Sequence, residues 1–264
     1  MQGFMNLCNN SYNKGWNERN GGNVSYRIKT EEIAPFSADL RADAPWKAIG
    51  VTVPNLAGEY FLVTGSTKFL MNVKSNPRDN ICIIEVDEAG ENYRIVWGLE
   101  KGGVPTSETP THLINHSVKK DSTDGKYRVI MHAHPANTIA LTFILPLEDK
   151  VFTREIWEMM TECPIVFPAG IGVVKWMIPG GREVALASAE LIKTYDVLIW
   201  AHHGIFCAGE DFDLTFGLMD TVEKSAEILI KVLSCGGKRQ KITSEEILTL
   251  SEPFKVKIDK SLLE

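Results

Sequence analysis

Apolar residues recur along this chain with two periods, and the periods separate its elements. Alternation in Val24-Ser25-Tyr26-Arg27-Ile28 predicts a strand, as does Tyr60-Phe61-Leu62-Val63-Thr64, which stops at Gly65-Ser66. Ile81–Val86 and Tyr93–Trp97 read as two strands joined through Asp87-Glu88-Ala89-Gly90-Glu91-Asn92, a hairpin that brings antiparallel pairing into the sheet. Helical spacing marks Thr109 to Lys120, Asn137 to Leu145, Thr153 to Met160, Arg182 to Thr194 and Leu214 to Cys235. The last carries Leu218, Val222, Ala226, Leu229 and Leu233 on one face, a Glu227–Lys231 pair one turn apart, and Gly236-Gly237 as its terminator. A capping box, Thr243-Ser244-Glu245-Glu246, starts a shorter helix. The opening segment reads weakly as a helix that ends before the turn Asn20-Gly21-Gly22-Asn23. Pro35, Pro45 and Pro54 break any period between Ala34 and Gly58, which therefore reads as a surface excursion inside a single domain, 1–264. The fold class is α/β, a mixed and largely antiparallel sheet flanked by helices.

Two apolar runs end in histidine. In Val129-Ile130-Met131-His132-Ala133-His134 the period of a strand directs His132 and His134 to one face, close enough to share a cation, although such a pair also suits ordinary hydrogen-bonded residues. Val197-Leu198-Ile199-Trp200-Ala201-His202-His203-Gly204 offers a third imidazole at the end of a second buried strand, and three protein ligands with one open position is the arrangement of a catalytic zinc. Adjacent strand residues face opposite ways, so only one of His202 and His203 ligates; His203, beside the glycine turn, is the candidate, and spacing alone leaves its neighbour open. Glu108, in Pro105-Thr106-Ser107-Glu108-Thr109-Pro110, is a candidate general base, against the commoner role of a glutamate at a helix start. His112 and His116 also stand at a ligand spacing, four apart on a helix, but lack the adjoining glutamate of a zincin; they are expected beside the site or facing solvent.

The 264 residues, 44% of them hydrophobic, suffice for a substantial core. A net charge of −6 with scattered basic residues gives no footprint for nucleic acid. No apolar run approaches the roughly 20 residues of a membrane span, and the polar start lacks the regions of a signal peptide, so a cytoplasmic protein with no membrane partner is expected. Five cysteines without a C-x-x-C pair argue for buried thiols. Asn20-Gly21-Gly22-Asn23, Thr64-Gly65-Ser66-Thr67 and Pro105-Thr106-Ser107 could each cradle an anion with backbone N–H groups and neutral side chains, though each alone is more simply a turn.

Taken together, Glu-Arg-Asn-Gly-Gly-Asn at 18–23, Thr-Gly-Ser at 64–66, Pro-Thr-Ser-Glu at 105–108, His-Ala-His at 132–134 and His-Gly at 203–204 resemble the class II aldolase and adducin-head family over nearly the whole chain. Trp97-Gly98-Leu99, Thr161-Glu162-Cys163, Val166-Phe167-Pro168, Phe216-Gly217-Leu218 and Glu223-Lys224-Ser225-Ala226 narrow the resemblance to members that cleave L-rhamnulose 1-phosphate. It implies helices on both faces of the sheet and a zinc-dependent, reversible cleavage to dihydroxyacetone phosphate and L-lactaldehyde, with L-fuculose 1-phosphate, a pentulose phosphate, or a non-catalytic binding head as alternatives. It further implies His132, His134 and His203 as zinc ligands and Glu108 as acid/base. Asn20, Gly22, Asn23, Ser66, Thr67 and Ser107 then fall where the substrate phosphate binds, and Glu162 is the carboxylate offered to a neighbour's site in a homotetramer. Thr67 departs from the pattern, standing where the phosphate loop has glycine.

Overall fold

The structure, a computed structural model, describes residues 1–264. Nine strands form one sheet: β1 (Asn23–Arg27), β2 (Lys47–Ala48), β3 (Tyr60–Thr64), β4 (Ile81–Val86), β5 (Asn92–Gly98), β6 (Val129–Ala133), β7 (Gly172–Val174), β8 (Val197–Trp200) and β9 (Gly204–Gly209). Their order is β2-β5-β4-β3-β1-β6-β9-β8-β7, and every pairing is antiparallel except β7 with β8. β1 and β6 lie inside the sheet and pair with Asn23 opposite His132 and Ser25 opposite Ile130.

Alternation along these strands distributes the core between two faces. On one, Val24, Tyr26, Met131, Ile205 and Cys207 pack with α1 (Gln2–Asn13), with the long helix Phe212–Ser234, and with Phe152, Ile156 and Trp157 of Asp149–Trp157. On the other, Phe61, Val63 and Ile84 pack against Leu113 of α2 (Thr109–Ser122), while Ile130, Leu198, Trp200 and Phe206 meet Val184 and Ile192 at the helix Arg182–Leu191. Helices therefore cover both faces. Asn23, Ser25 and His132 share the face that α2 covers, and this brings the chemistry of the sheet under that helix.

Several elements differ from expectation. The helix expected over 153–160 begins at Asp149, an acidic residue in its first turn that also accepts a 2.7 Å hydrogen bond from Val173 N–H, and it stops at Trp157. The helix from Ala136 ends at Leu141, four residues early. β9 was not anticipated, because its apolar run, Ile205 to Ala208, is short and enclosed by glycines. The excursion between 34 and 58 contains β2, an edge strand on β5, and short 3-10 turns. The capping box is present, with the Thr243 hydroxyl accepting from Glu246 N–H. All five cysteines are free, and Cys235 is exposed rather than buried.

Candidate metal and catalytic site

β6 ends at Ala133, so His132 projects from the strand and His134 from the residue just beyond it, where its N–H donates to Trp16 C=O at 2.8 Å. β8 ends at Trp200 and turns into β9 through Ala201-His202-His203, with His202 in the left-handed region at φ 59°. That conformation separates the two neighbours. His203 turns toward His132, their Nε2 atoms 3.3 Å apart, whereas His202 turns to Thr142, whose hydroxyl lies 3.0 Å from Nδ1, and packs at a tilt against Phe143. Nε2 of His134 lies 3.2 Å from Nε2 of His132. The three rings can each direct one ligand atom to a common point, all within 4.8 Å of one another.

The outer nitrogens fix which lone pairs face inward. His132 Nδ1 donates to Ile205 C=O at 2.9 Å, and His134 Nδ1 lies 2.8 and 3.0 Å from the two oxygens of Glu18, so each Nε2 carries a lone pair. Lone pairs this close repel unless something positive lies between them. Four ligands arranged tetrahedrally at the roughly 2.0–2.1 Å of an imidazole–zinc bond stand about 3.3–3.4 Å apart, which the two spacings at His132 match, with the third pair held within 4.8 Å. Burial, then the neighbouring imidazoles, hold His132 well below its ordinary value and His203 down at about 4, which keeps the rings neutral and able to ligate.

Glycines allow the approach. Gly22, at φ 72°, lies over His132; a Cβ there would stand 2.8 Å from its carbonyl oxygen and 2.0 Å from Asn17 Nδ2. A Cβ on Gly204 would stand 2.3 Å from Ala133 C=O and 3.1 Å from His132 Cε1. Both positions therefore require glycine for close packing.

Glu108 caps α2 in position only, since its side chain makes no capping bond and turns instead to the histidines, 3.8 Å from His132 Nε2 and 4.0 Å from His203 Nε2. It is 5% exposed and accepts a 2.7 Å hydrogen bond from Asn23 Nδ2. Burial pushes its carboxyl up to about 7, against the smaller lowering from Asn23. Such a group divides between acid and base near neutral pH.

Two of the three loops expected to cradle an anion are laced together: Ser66 N–H donates to Val104 C=O at 2.8 Å and Thr106 N–H to Thr64 C=O at 2.9 Å, which sets Ser66 and Ser107 on neighbouring strands of backbone. Thr67 has φ 61°, a left-handed conformation that explains why glycine suits this position better. Asn20 is exposed near Gly22, but the Asn23 amide is engaged at both ends, by Glu108 and by His112. Glu162 lies apart from this group, exposed at the start of the short helix Cys163–Val166. His112 and His116 are buried under the sheet and do not face solvent. Glu18, though part of the 18–23 motif, has no role that spacing assigns, and Asn17 and Ser25 carry no sequence signal. A partner for His134 Nδ1 is a requirement of ligation that the acidic residue before Gly21-Gly22 could have signalled.

Fold and site together define a class. The family profile described as "Class II Aldolase and Adducin N-terminal domain" matches residues 2–230, and the chain belongs to that family. Within it, the chain is 48% identical to a rhamnulose-1-phosphate aldolase of Mannheimia succiniciproducens over 97% of its own length and 94% of the relative's. It is 45% identical to a rhamnulose-1-phosphate aldolase of Klebsiella pneumoniae over 100% and 96%. Among solved structures, a sugar-phosphate aldolase from Thermotoga maritima superposes with a TM-score of 0.75 at 28% identity, covering 89% of this chain and 94% of that one.

Proposed function

We propose that the protein is a zinc-dependent aldolase that reversibly cleaves L-rhamnulose 1-phosphate to dihydroxyacetone phosphate and L-lactaldehyde. The observation that carries this reading is the convergence of three imidazole Nε2 atoms beside a buried carboxyl poised near neutrality. Full-length similarity to rhamnulose-1-phosphate aldolases supports the choice of sugar. His132, His134 and His203 hold the cation, and Glu18 and Ile205 C=O orient two of the rings. A cation held there supplies Lewis acidity that draws off the negative charge left when the C3–C4 bond breaks, worth several kcal/mol.

The chain's own groups handle the protons. Glu108, protonated, delivers its proton to C3 of the triose fragment, and its carboxylate removes one there in the synthetic direction; positioned transfer of this kind contributes roughly 10²- to 10⁴-fold. The C4 hydroxyl loses its proton as it becomes the aldehyde, and Glu162 from a neighbouring copy, or a water it orients, takes it. Asn20, the Gly22 N–H, Ser66, Thr67 and Ser107 hold the phosphate through neutral donors, while Asn23 positions Glu108. Residues 1–264 act as one domain, assembled as a homotetramer in the cytoplasm. No helix is long and apolar enough to cross a membrane.

The test is coupled detection of dihydroxyacetone phosphate from L-rhamnulose 1-phosphate and from L-fuculose 1-phosphate, with zinc content measured on the same sample. Preference for the first sugar and one zinc per chain are expected; preference for the second overturns the assignment of substrate. Light scattering of the purified protein tests the tetramer.

A further inference from the structure

Behind Glu108 runs a hydrogen-bonded chain that the proposed reaction does not use directly. Asn23 Nδ2 donates to Glu108 Oε2, Asn23 Oδ1 meets His112 Nε2, His112 Nδ1 lies 2.6 Å from Ser25 Oγ, and Ser25 Oγ lies 2.8 Å from His116 Nε2. Every member is buried, the most exposed of them Asn23 at 7%, and His116 Nδ1 has no partner. Asn23 and Ser25 come from β1 and the two histidines from successive turns of α2, so the chain stitches the helix that begins at Glu108 to the sheet.

Its members can be protonated in only two self-consistent ways. In one, the Asn23 amide donates to Glu108, so its carbonyl accepts from His112 Nε2–H. His112 Nδ1 then accepts from the Ser25 hydroxyl, and Ser25 Oγ accepts from His116 Nε2–H. The chain ends on an unpaired lone pair at His116 Nδ1. In the other every bond reverses, the Asn23 carbonyl faces Glu108, a pairing open only to the protonated carboxyl, and the chain ends on an unpaired buried N–H. A buried acceptor left alone is tolerated more often than a buried donor, and once Glu108 ionises the carbonyl would be held against a carboxylate. Burial, with Arg27 and Arg128 nearby, also keeps His116 uncharged.

We infer that His112, Ser25 and His116 are positioning residues, held as Nε2–H tautomers so that the Asn23 amide always offers its N–H to Glu108. The inference rests on the catalytic role proposed for Glu108, but its physical core does not. A histidine selectively ¹⁵N-labelled sample, with His112 assigned through His112→Gln, reports the tautomers at neutral pH by long-range proton–nitrogen correlation. Nε2–H at both His112 and His116 is expected, and Nδ1–H or an imidazolium at either overturns the inference, whether or not the protein is an aldolase.

Kinetics supply the second arm. Ser25→Ala and His112→Leu are each expected to lower kcat by about tenfold, equivalent to roughly 1.4 kcal/mol at the transition state, with KM and zinc content unchanged. His112→Gln, whose amide N–H can reach Asn23 Oδ1, recovers most of the loss relative to His112→Leu. Unchanged kcat in Ser25→Ala and His112→Leu, or no recovery in His112→Gln, overturns the positioning role. A wild-type protein without aldolase activity removes the function proposed above and leaves the tautomer measurement standing.

Discussion

Two histidine pairs in this molecule share a spacing suited to metal, and only one pair is free to use it. His132 and His134 stand two apart at a strand end, their Nδ1 atoms facing Ile205 C=O and Glu18 and their Nε2 atoms aimed at each other and at His203. His112 and His116 stand four apart on a helix, and both aim at Ser25, a hydrogen-bonding hydroxyl. The first pair ends in converging lone pairs that no protein donor meets. The second is spent inside the core. Ligand capacity therefore depends on what lies opposite each ring nitrogen, and sequence spacing does not carry that information.

The largest effect is expected at the third ligand. His203→Ala is expected to lose bound metal and turnover altogether, while His202→Ala keeps both; elemental analysis of the purified variants decides, and the reverse result would show that the turn presents the other ring. Next in size is Glu108→Gln, expected to keep zinc and fold while kcat falls by about 10²- to 10⁴-fold. Near-wild-type turnover there removes Glu108 from proton transfer.

Acid titration tests the burial of the second pair. Burial holds His112 down at about 3 and His116 well below its ordinary 6.5, so between those values the unfolded chain binds protons that the folded one refuses. The stability these neutral rings contribute is complete above pH about 6.5 and declines as pH falls toward 3, by up to about 1.4 kcal/mol per pH unit for each ring. Denaturant melts at stepped pH should show that slope, and His112→Gln should make it shallower by one proton; an identical slope in the variant contradicts the buried neutral state. The smallest effect is expected at a glycine with open space around it. Gly22→Ala meets both a left-handed φ and the Asn17 amide, whereas a Cβ at Gly15, φ 77°, meets nothing within 4 Å. Gly22→Ala should therefore cost about 1–3 kcal/mol and Gly15→Ala less, measured by thermal unfolding.

Local signals reached much of the fold. Alternation located β1, an apolar run stopped at Gly65-Ser66 located β3, hairpin chemistry joined β4 to β5, and the helical stripe with its two terminal glycines bounded Phe212–Ser234 closely. β9 escaped because its apolar run, Ile205 to Ala208, is short and enclosed by Gly204 and Gly209, which read as turn residues. Apolar runs ending in histidine brought His132, His134 and His203 to notice, since a buried strand that stops at an imidazole places it at a sheet edge. Which of His202 and His203 turns inward was settled by one left-handed residue, a backbone property that the side-chain pattern does not encode. The bond from Asn23 to Glu108 joins residues 85 apart and follows from the register of β1 beneath α2, which only the assembled sheet reveals.

The source of the three imidazoles has a mechanical side. Two belong to the rim of an interior strand and the third to the tip of the β8–β9 hairpin, so an ion held among them would rivet that hairpin to the middle of the sheet. Stripping the ion with a chelator would then loosen the tip first, and amide exchange at Ala201 to Gly204 should quicken before any other part of the sheet opens.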